Sequence, residues 1–314
     1  MKEPEVSVII PTHRFESYKY LLKALESLAN QTYPNVRVII VVDNNTKLYD
    51  FLKKQEKEGI LKELGLETKI VPNLGRRGLS ASRNVGIRNA TGGILCFLDD
   101  DAVADRRWIE ELVKTYNSYP EAIGVGGPIL PLGEIPWHIP NDFYWLLGVT
   151  PSSLHSNSVT KVRNTFGSNI SFRREVFEKV GLFNEELGFS GTKLIQAEET
   201  EMCIRCIKKL KGTILYNPKA IVYHHILPQR IKLTYLLKRA YDQGLSKAAL
   251  ESLHSDFNTL DVEYEYLAKV LYNVLGSLAS MSIKGLTHAL LSVTFTASVG
   301  LGYLSGKVYS YAKK

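Results

Sequence analysis

An α/β fold built on an open, mostly parallel sheet is the class this sequence predicts, and three observations predict it. Short runs of apolar, often β-branched residues alternate with helical patterns through the first hundred residues. The runs are nearly continuous in apolar character, as befits strands covered on both faces. Three of the runs stop abruptly, at Pro11-Thr12-His13-Arg14, at Asp43-Asn44-Asn45 and at Asp99-Asp100-Asp101. Open α/β sheets hold their ligands beyond such strand ends.

The elements follow in order. VSVII (6–10) is the first strand and ends at Pro11. Leu21, Leu22, Leu25 and Leu28 then recur at helical spacing. VRVIIVV (36–42) is a second strand, residues 47–64 read as a charged helix, and KIV precedes Pro72. Residues 80–90 read as a helix with Ser80 at its N-cap, and ILCFL (94–98) is the fourth strand. Residues 126–160, rich in Gly, Pro and aromatics, read as a long structured loop of the kind that covers a site. Its Trp137, Tyr144 and Trp145 suit either stacking on a ligand or packing within a lid. NISFRREVFEKVG (169–181) reads as strand, short helix and Gly cap; residues 198–211 as a helix; TILYNPKAIVYHH (213–225) as two extended runs around Asn217-Pro218. Residues 229–253 look helical and basic, with Arg230, Lys232, Lys238, Arg239 and Lys247. This stretch is expected to approach anionic headgroups at a lipid surface, the alternative being a solvated helix face.

The tail is different. From Gly285 to Gly306 there are 22 consecutive residues without a charge, bracketed by Lys284 and Lys307. As a helix they would extend about 33 Å at ~1.5 Å per residue, close to a bilayer core. The run also holds His288, Ser292, Thr294, Thr296, Ser298 and several glycines, and Val270–Ile283 is a second uncharged run too short to span. A spanning helix, an in-plane or re-entrant helix and a buried hairpin all remain open. Tyr303, Tyr309, Tyr311, Lys313 and Lys314 suit a membrane interface. The expected organisation is a sheet domain over 1–227, a basic helical segment over 228–265 and an apolar helical hairpin, membrane-associated, over 266–314.

Composition narrows the function. The chain has 314 residues, 45% hydrophobic and 23% charged, so a large packed core is available. A net charge of +7 suits an anionic small substrate or an anionic membrane. No recognition motif accompanies that charge, and nucleic acid is not an expected partner. Three cysteines argue against a disulfide framework. Cys203 and Cys206 have CxxC spacing but lack a second pair or a His cluster, so they read as small apolar residues one turn apart. The opening MKEPEVSVII lacks a signal-peptide core, and a secreted protein is not expected. No GxGxxG or Walker A loop follows a strand, which excludes a conventional dinucleotide or P-loop site.

Three adjacent carboxylates after a buried strand repel one another unless a cation or water compensates them. Closely spaced aspartates suit a hard divalent cation such as Mg²⁺ or Mn²⁺, which takes one or two carboxylates and completes its shell with phosphate oxygens. A nucleoside diphosphate is the matching partner. The plainer alternative is a solvated turn, with Asp105 capping the helix near Arg106.

Two stretches, VSVIIPTHRFESYKYLLKALESLANQTYPNVRVIIVVDNN and NLGRRGLSASRNVGIRNATGGILCFLDDDAVADRRWIEELV, closely resemble the donor-binding half of the family-2 inverting glycosyltransferases. SNISFRREVFEKVGLFNEELG, AEETEMCIRC and NPKAIVYHHILPQRIKLTYLLKRAYDQGLSKA continue the resemblance in the same order, over residues 5–250. It is strongest toward enzymes that extend saccharides on polyprenyl or dolichyl phosphate, glucuronosyl- and glucosyltransferases among them. It implies a GT-A fold, a UDP- or GDP-sugar donor, a lipid-linked or saccharide acceptor, a divalent cation (Mn or Mg), and a place at the cytoplasmic face of the cell membrane. By that resemblance Pro11 and Thr12 border the base pocket and Asp43 hydrogen-bonds the base. Arg83 lies near the diphosphate or donor sugar, a surface ion pair being its alternative. Asp99 contacts ribose or sugar, Asp100 completes the donor site, and Asp101 ligates the metal. Where the family has Glu-Asp this chain has Glu198-Glu199; Glu199 is implied as general base and Glu198 as the acceptor-positioning residue. His224 is implied as a metal ligand, with His225 as the neighbouring alternative. Asn44, where a second acid is common, departs from the pattern. A nucleotidyltransferase and a non-catalytic nucleotide-sugar-binding scaffold are the rival readings; PTHRFES lacks the glycines of the former, and the acidic clusters speak against the latter.

Overall fold

The computed structural model describes residues 4–188, 196–255 and 259–312. In chain order the elements are β1 (Val6–Thr12), α1 (Tyr18–Ala29), β2 (Val36–Asp43), α2 (Thr46–Lys57), α3 (Ile60–Glu63), β3 (Glu67–Asn73), α4 (Leu79–Asn89), β4 (Ile94–Phe97), β5 (Ala102–Ala104), α5 (Trp108–Ser118), β6 (Ala122–Gly126), β7 (Ile129–Leu132), β8 (Thr160–Val162), β9 (Ile170–Arg173), α6 (Arg174–Val180), α7 (Glu198–Leu210), β10 (Thr213–Tyr216), β11 (Val222–His225), α8 (Leu233–Leu253), α9 (Asp261–Ala279) and α10 (Ile283–Ala312).

Eight strands form one sheet in the order β3-β2-β1-β4-β9-β6-β10-β8. The pairs β3-β2, β2-β1, β1-β4 and β6-β10 are parallel. β9 runs antiparallel to both its neighbours, and β8 runs antiparallel to β10. Successive residues of a strand face opposite sides, so the sheet builds two cores. Val8, Ile10, Val38 and Ile40 pack on one side with Leu21 and Leu25 of α1, Leu48 and Leu52 of α2, and Trp108 and Leu112 of α5. Ile9, Ile39, Leu95 and Phe97 pack on the other with Ile87 of α4, Phe177 of α6, and Met202 and Cys203 of α7. A second, three-stranded sheet has the order β5-β11-β7.

The described residues fall into two compact units. The first is drawn from residues up to Leu130, from 156–188 and from Glu198 to His224. The second is drawn from Pro131–His155, residues 196–197 and the chain from His225 onward. Within the second unit, Phe143, Leu146, Leu236, Ala240, Val270 and Phe295 form a separate apolar core. Lys313 and Lys314 lie outside the described residues, as does the side chain of Tyr311.

Several local expectations need correction. Residues 47–64 are two helices, because Gly59 adopts φ +86°, a conformation that a helix interior forbids. Ser80 is not an N-cap: α4 is entered through Gly78 at φ +139°, and the Ser80 hydroxyl donates to the Leu187 carbonyl at 2.6 Å. Pro72 lies inside β3. Within the loop 126–160 the chain forms β7 and two 3₁₀ turns, Asn141–Leu147 and Ser152–Leu154. Phe143 stacks near Trp145, with ring centres 6.1 Å apart, while Trp137 is exposed. The tail is not a buried hairpin, since Leu271, Leu275, Leu290, Leu301 and Leu304 are each more than half exposed. Among the basic residues of 229–247, Lys238 pairs with Asp242 at 2.8 Å and Lys247 pairs with Glu263, so part of that charge is already compensated.

Candidate active site

Parallel pairing in register brings three strand ends together. Thr12 aligns with Val42, Asp43 with Asn73, and Ile9 with Phe97, so β1, β2 and β4 all finish at one edge of the sheet. The residues implied for donor and metal binding therefore share that edge for a topological reason.

Asp43 is held from two sides. Its Oδ1 accepts from Asn73 Nδ2 at 2.8 Å, and its Oδ2 accepts from the Gly78 backbone N–H at 3.1 Å. Asn44, next in the chain, sits at φ +47°. Asn, like Asp, tolerates this left-handed conformation better than most residues. His13 is half-buried; burial first and the Arg14 charge second hold its imidazole below the ordinary histidine value.

Pro11 and Thr12 are buried at the end of β1, and the Thr12 hydroxyl donates to Asp100 Oδ2 at 2.6 Å. Burial and the neighbouring Asp101 charge push the Asp100 carboxyl up to about 7. Asp101 itself is buried, and its Oδ1 lies 3.2 Å from Nε2 of His224. The pairing of β11 with β5 creates this approach by setting His224 opposite Ala102.

Arg83 is the organising residue. Its side chain is only 1% exposed, so it is no surface ion pair. Nη1 donates to Glu198 Oε1 at 2.9 Å; Nη2 donates to the Gly167 carbonyl at 3.0 Å and reaches Asp99 Oδ1 at 3.5 Å. The guanidinium lies 5.9 Å from the Phe97 ring centre and 5.7 Å from that of Phe183, within cation–π range. A Cβ at Gly167 would stand 2.8 Å from Nη2, so the close approach requires glycine there. Arg83 thus links the aspartates after β4 to the first residue of α7. Glu198 is buried against it, whereas Glu199 is half-buried in the same first turn. Ala197, just before α7, is held at φ +143°, where residues other than glycine are strained.

Three asparagines carry roles that the sequence analysis missed. Asn73 ties Asp43 to the Arg76 carbonyl and to Ser82. Asn84 donates to the Phe183 carbonyl and to Glu185, and accepts from the Phe183 N–H. Asn169 accepts from Trp108 Nε1 and donates to the carbonyls of Pro128 and Ala220. For Asn84 the signal was there in the ASRN motif, whose polar residues Ser82, Arg83 and Asn84 are all buried.

The donor set fits a hard divalent cation in one way. Asp101 and His224 offer a carboxylate oxygen and an imidazole nitrogen side by side. Two protein donors are the usual complement for a Mg²⁺ or Mn²⁺ whose remaining ligands come from phosphate. Among the described residues no group of three or more His, Cys, Asp or Glu side chains is arranged as a full cage. Cys203 and Cys206 are buried free thiols, and burial pushes Cys206 up to about 12.

Comparison with known proteins gives the family and the fold. The family described as Glycosyl transferase family 2 matches residues 7–181. A glucosyl-dolichyl phosphate glucuronosyltransferase from Haloferax volcanii is 34% identical over 307 residues, covering 96% of this chain and 96% of that protein. Among solved structures, the mannosyltransferase PcManGT from Pyrobaculum calidifontis, in complex with GDP-Man and Mn²⁺, superposes with a TM-score of 0.62 at 16% identity, covering 97% of this chain and 88% of that one. GalNAc-T7 with UDP, GalNAc and Mn²⁺ superposes with a TM-score of 0.55 at 16% identity, covering 85% and 54%. The fold is GT-A.

Proposed function

The chain belongs to glycosyltransferase family 2, and on that premise we propose that it moves a sugar, with inversion, from a nucleoside-diphosphate sugar to a hydroxyl of a saccharide carried on dolichyl or polyprenyl phosphate. The near-full-length similarity to a dolichyl-phosphate glucuronosyltransferase supports this acceptor class. The observation that carries the mechanism is the buried Arg83 bridge, which holds the start of α7 beside the aspartates after β4.

Glu199 is the base of this reading. The Glu198 carboxylate is already engaged by Arg83, which suits it to positioning, while Glu199 stands in the same helical turn and is half open to solvent. It takes the proton from the acceptor hydroxyl, and that oxygen attacks the anomeric carbon on the face opposite the diphosphate. Pro11, Thr12 and Asp43 border the nucleoside; Asp99 and Asp100 meet its ribose, diphosphate or sugar, with Arg83 behind them. Asp101 and His224 would hold a divalent cation, Mn²⁺ or Mg²⁺, which when bound neutralises charge developing on the leaving diphosphate. Two structural neighbours solved with Mn²⁺ support this assignment. The apolar helix Ile283–Tyr309, long enough to cross a membrane, supports work at a membrane surface; the cytoplasmic face is the side this reading assigns.

The test is transfer from a panel of UDP- and GDP-sugars to dolichyl-phosphate-linked saccharides. Release of nucleoside diphosphate and an inverted anomeric configuration by NMR are expected. Release of pyrophosphate instead would point to a nucleotidyltransferase.

A further inference from the structure

We infer that α10 does not cross the bilayer: α9 and α10 lie in the plane of one leaflet, with the opposite face of α10 kept on α8. The inference rests on the membrane reading above and deepens it.

The first observation is a backbone-close seam within the second unit. A Cβ on Gly244 of α8 would fall 2.0 Å from the Val299 carbonyl oxygen, and one on Gly302 would fall 2.0 Å from the Tyr241 carbonyl oxygen. A Cβ on Gly306 would meet that of Ala248 at 2.7 Å. Small residues four apart on both helices let the two backbones touch. Polar ties run along the same face. His288 Nε2 lies 2.7 Å from the Trp137 carbonyl oxygen, the Ser298 hydroxyl donates to the Leu237 carbonyl at 2.9 Å, and Tyr303 and Lys307 both reach Glu251. These ties span residues 288–307, nearly the whole uncharged run.

The second observation is what α8 carries. Lys238, Arg239, Asp242, Lys247 and Glu251 lie along it. If α10 stood across the bilayer with this seam intact, α8 would enter hydrocarbon with five ionisable groups, which the bilayer opposes. If the seam broke, the ties made by His288, Ser298, Tyr303 and Lys307 would be lost with it.

The third observation is the outward face. Leu286, Leu290, Val293, Leu301, Leu304 and Val308 follow at helical spacing along α10, each more than half exposed. Leu271, Tyr272 and Leu275 of α9 are likewise more than half exposed. Lys269 and Lys284, on the same two helices, are exposed and complement anionic headgroups. One apolar face, one polar attachment and flanking cations describe a helix that lies in the interface. A leaflet is thus the occupant that chemistry on both sides of α10 fits.

The test uses full-length protein in cells with two single-cysteine reporters, Lys57→Cys on the first unit and Lys314→Cys at the chain end. The native cysteines are buried. Membrane-impermeant maleimide is applied to intact spheroplasts and to opened membranes. The expected result is that both reporters label only after opening. Labelling of Lys314→Cys alone on intact spheroplasts would place the ends on opposite sides and overturn the in-plane seating while leaving the membrane reading standing. Recovery of the protein in the soluble fraction would overturn both; a soluble dimer would assign the face to a second copy. The double variant L290E/L301E, altered only on the outward face, should lose at least tenfold of its membrane-bound fraction while keeping a native far-UV spectrum. Full membrane retention by that variant would count against the leaflet contact.

Discussion

The Asp101 carboxylate lies 3.2 Å from Nε2 of His224, and both side chains are buried. Two residues far apart in the chain are joined by the pairing of β5 with β11. On the proposed reading this carboxylate and imidazole are the two protein donors that would hold a divalent cation. Mn²⁺ at 100 times its Kd should therefore stabilise the protein by about 2.7 kcal/mol, visible as a rise in Tm. Asp101→Ala and His224→Ala should each remove that rise. An unchanged Mn²⁺-induced shift in both variants would displace the metal from this pair. EDTA should abolish transfer.

Glu199→Gln should lower transfer by about 10²–10⁴-fold with donor binding and Tm retained. Glu198→Gln should instead weaken the Arg83 contact and lower stability. Near-normal turnover in Glu199→Gln, measured by nucleoside diphosphate release, would move the base to Glu198.

Arg83→Met should be costly even without substrate. It would leave Glu198 buried without its cation, and breaking such a pair costs about 3–5 kcal/mol. Denaturant titration measures this. The double variant Arg83→Met/Glu198→Gln should recover part of the loss, because it removes the uncompensated charge.

Asp100 gives a pH signature. Its carboxyl is pushed from 3.8 up to about 7 by burial and by Asp101. Between those values the folded chain holds a proton that the unfolded chain has released, so stability is full below about 4 and falls as pH rises toward 7. Thermal melts of the metal-free protein should show this decline, and Asp100→Asn should flatten it.

Cys96, Cys203 and Cys206 are buried, and burial raises all three thiols. Thiolate is the reactive form. None should react with a thiol reagent at neutral pH until the protein unfolds; fast labelling of native protein would contradict the packing described.

Much of the site was legible because it is local. A strand that ends in charge marks a sheet edge from its own few residues, so Thr12, Asp43 and the aspartates 99–101 could be placed there from their neighbours alone. The helix beginning at Glu198 and the extended run ending at His224 were likewise readable from short patterns. Asn73, Asn84 and Asn169 were not, because a buried amide looks in sequence like a turn or a cap.

By itself, then, the sequence determined the main strands and helices of the first hundred residues apart from the break at Gly59, which strand ends carry charge, and that residues 285–306 carry none. Apolar periodicity and breaks in it act over a few residues and need no partner. The tertiary structure alone decided that β9 enters the sheet antiparallel, that Arg83 is buried between Phe97 and Phe183 with Glu198 on its guanidinium, that His224 faces Asp101, and that α10 lies against α8 through Gly244 and Gly302. Each of these depends on a partner distant in the chain, and the free energy of pairing and burial appears only once folding has brought the two together.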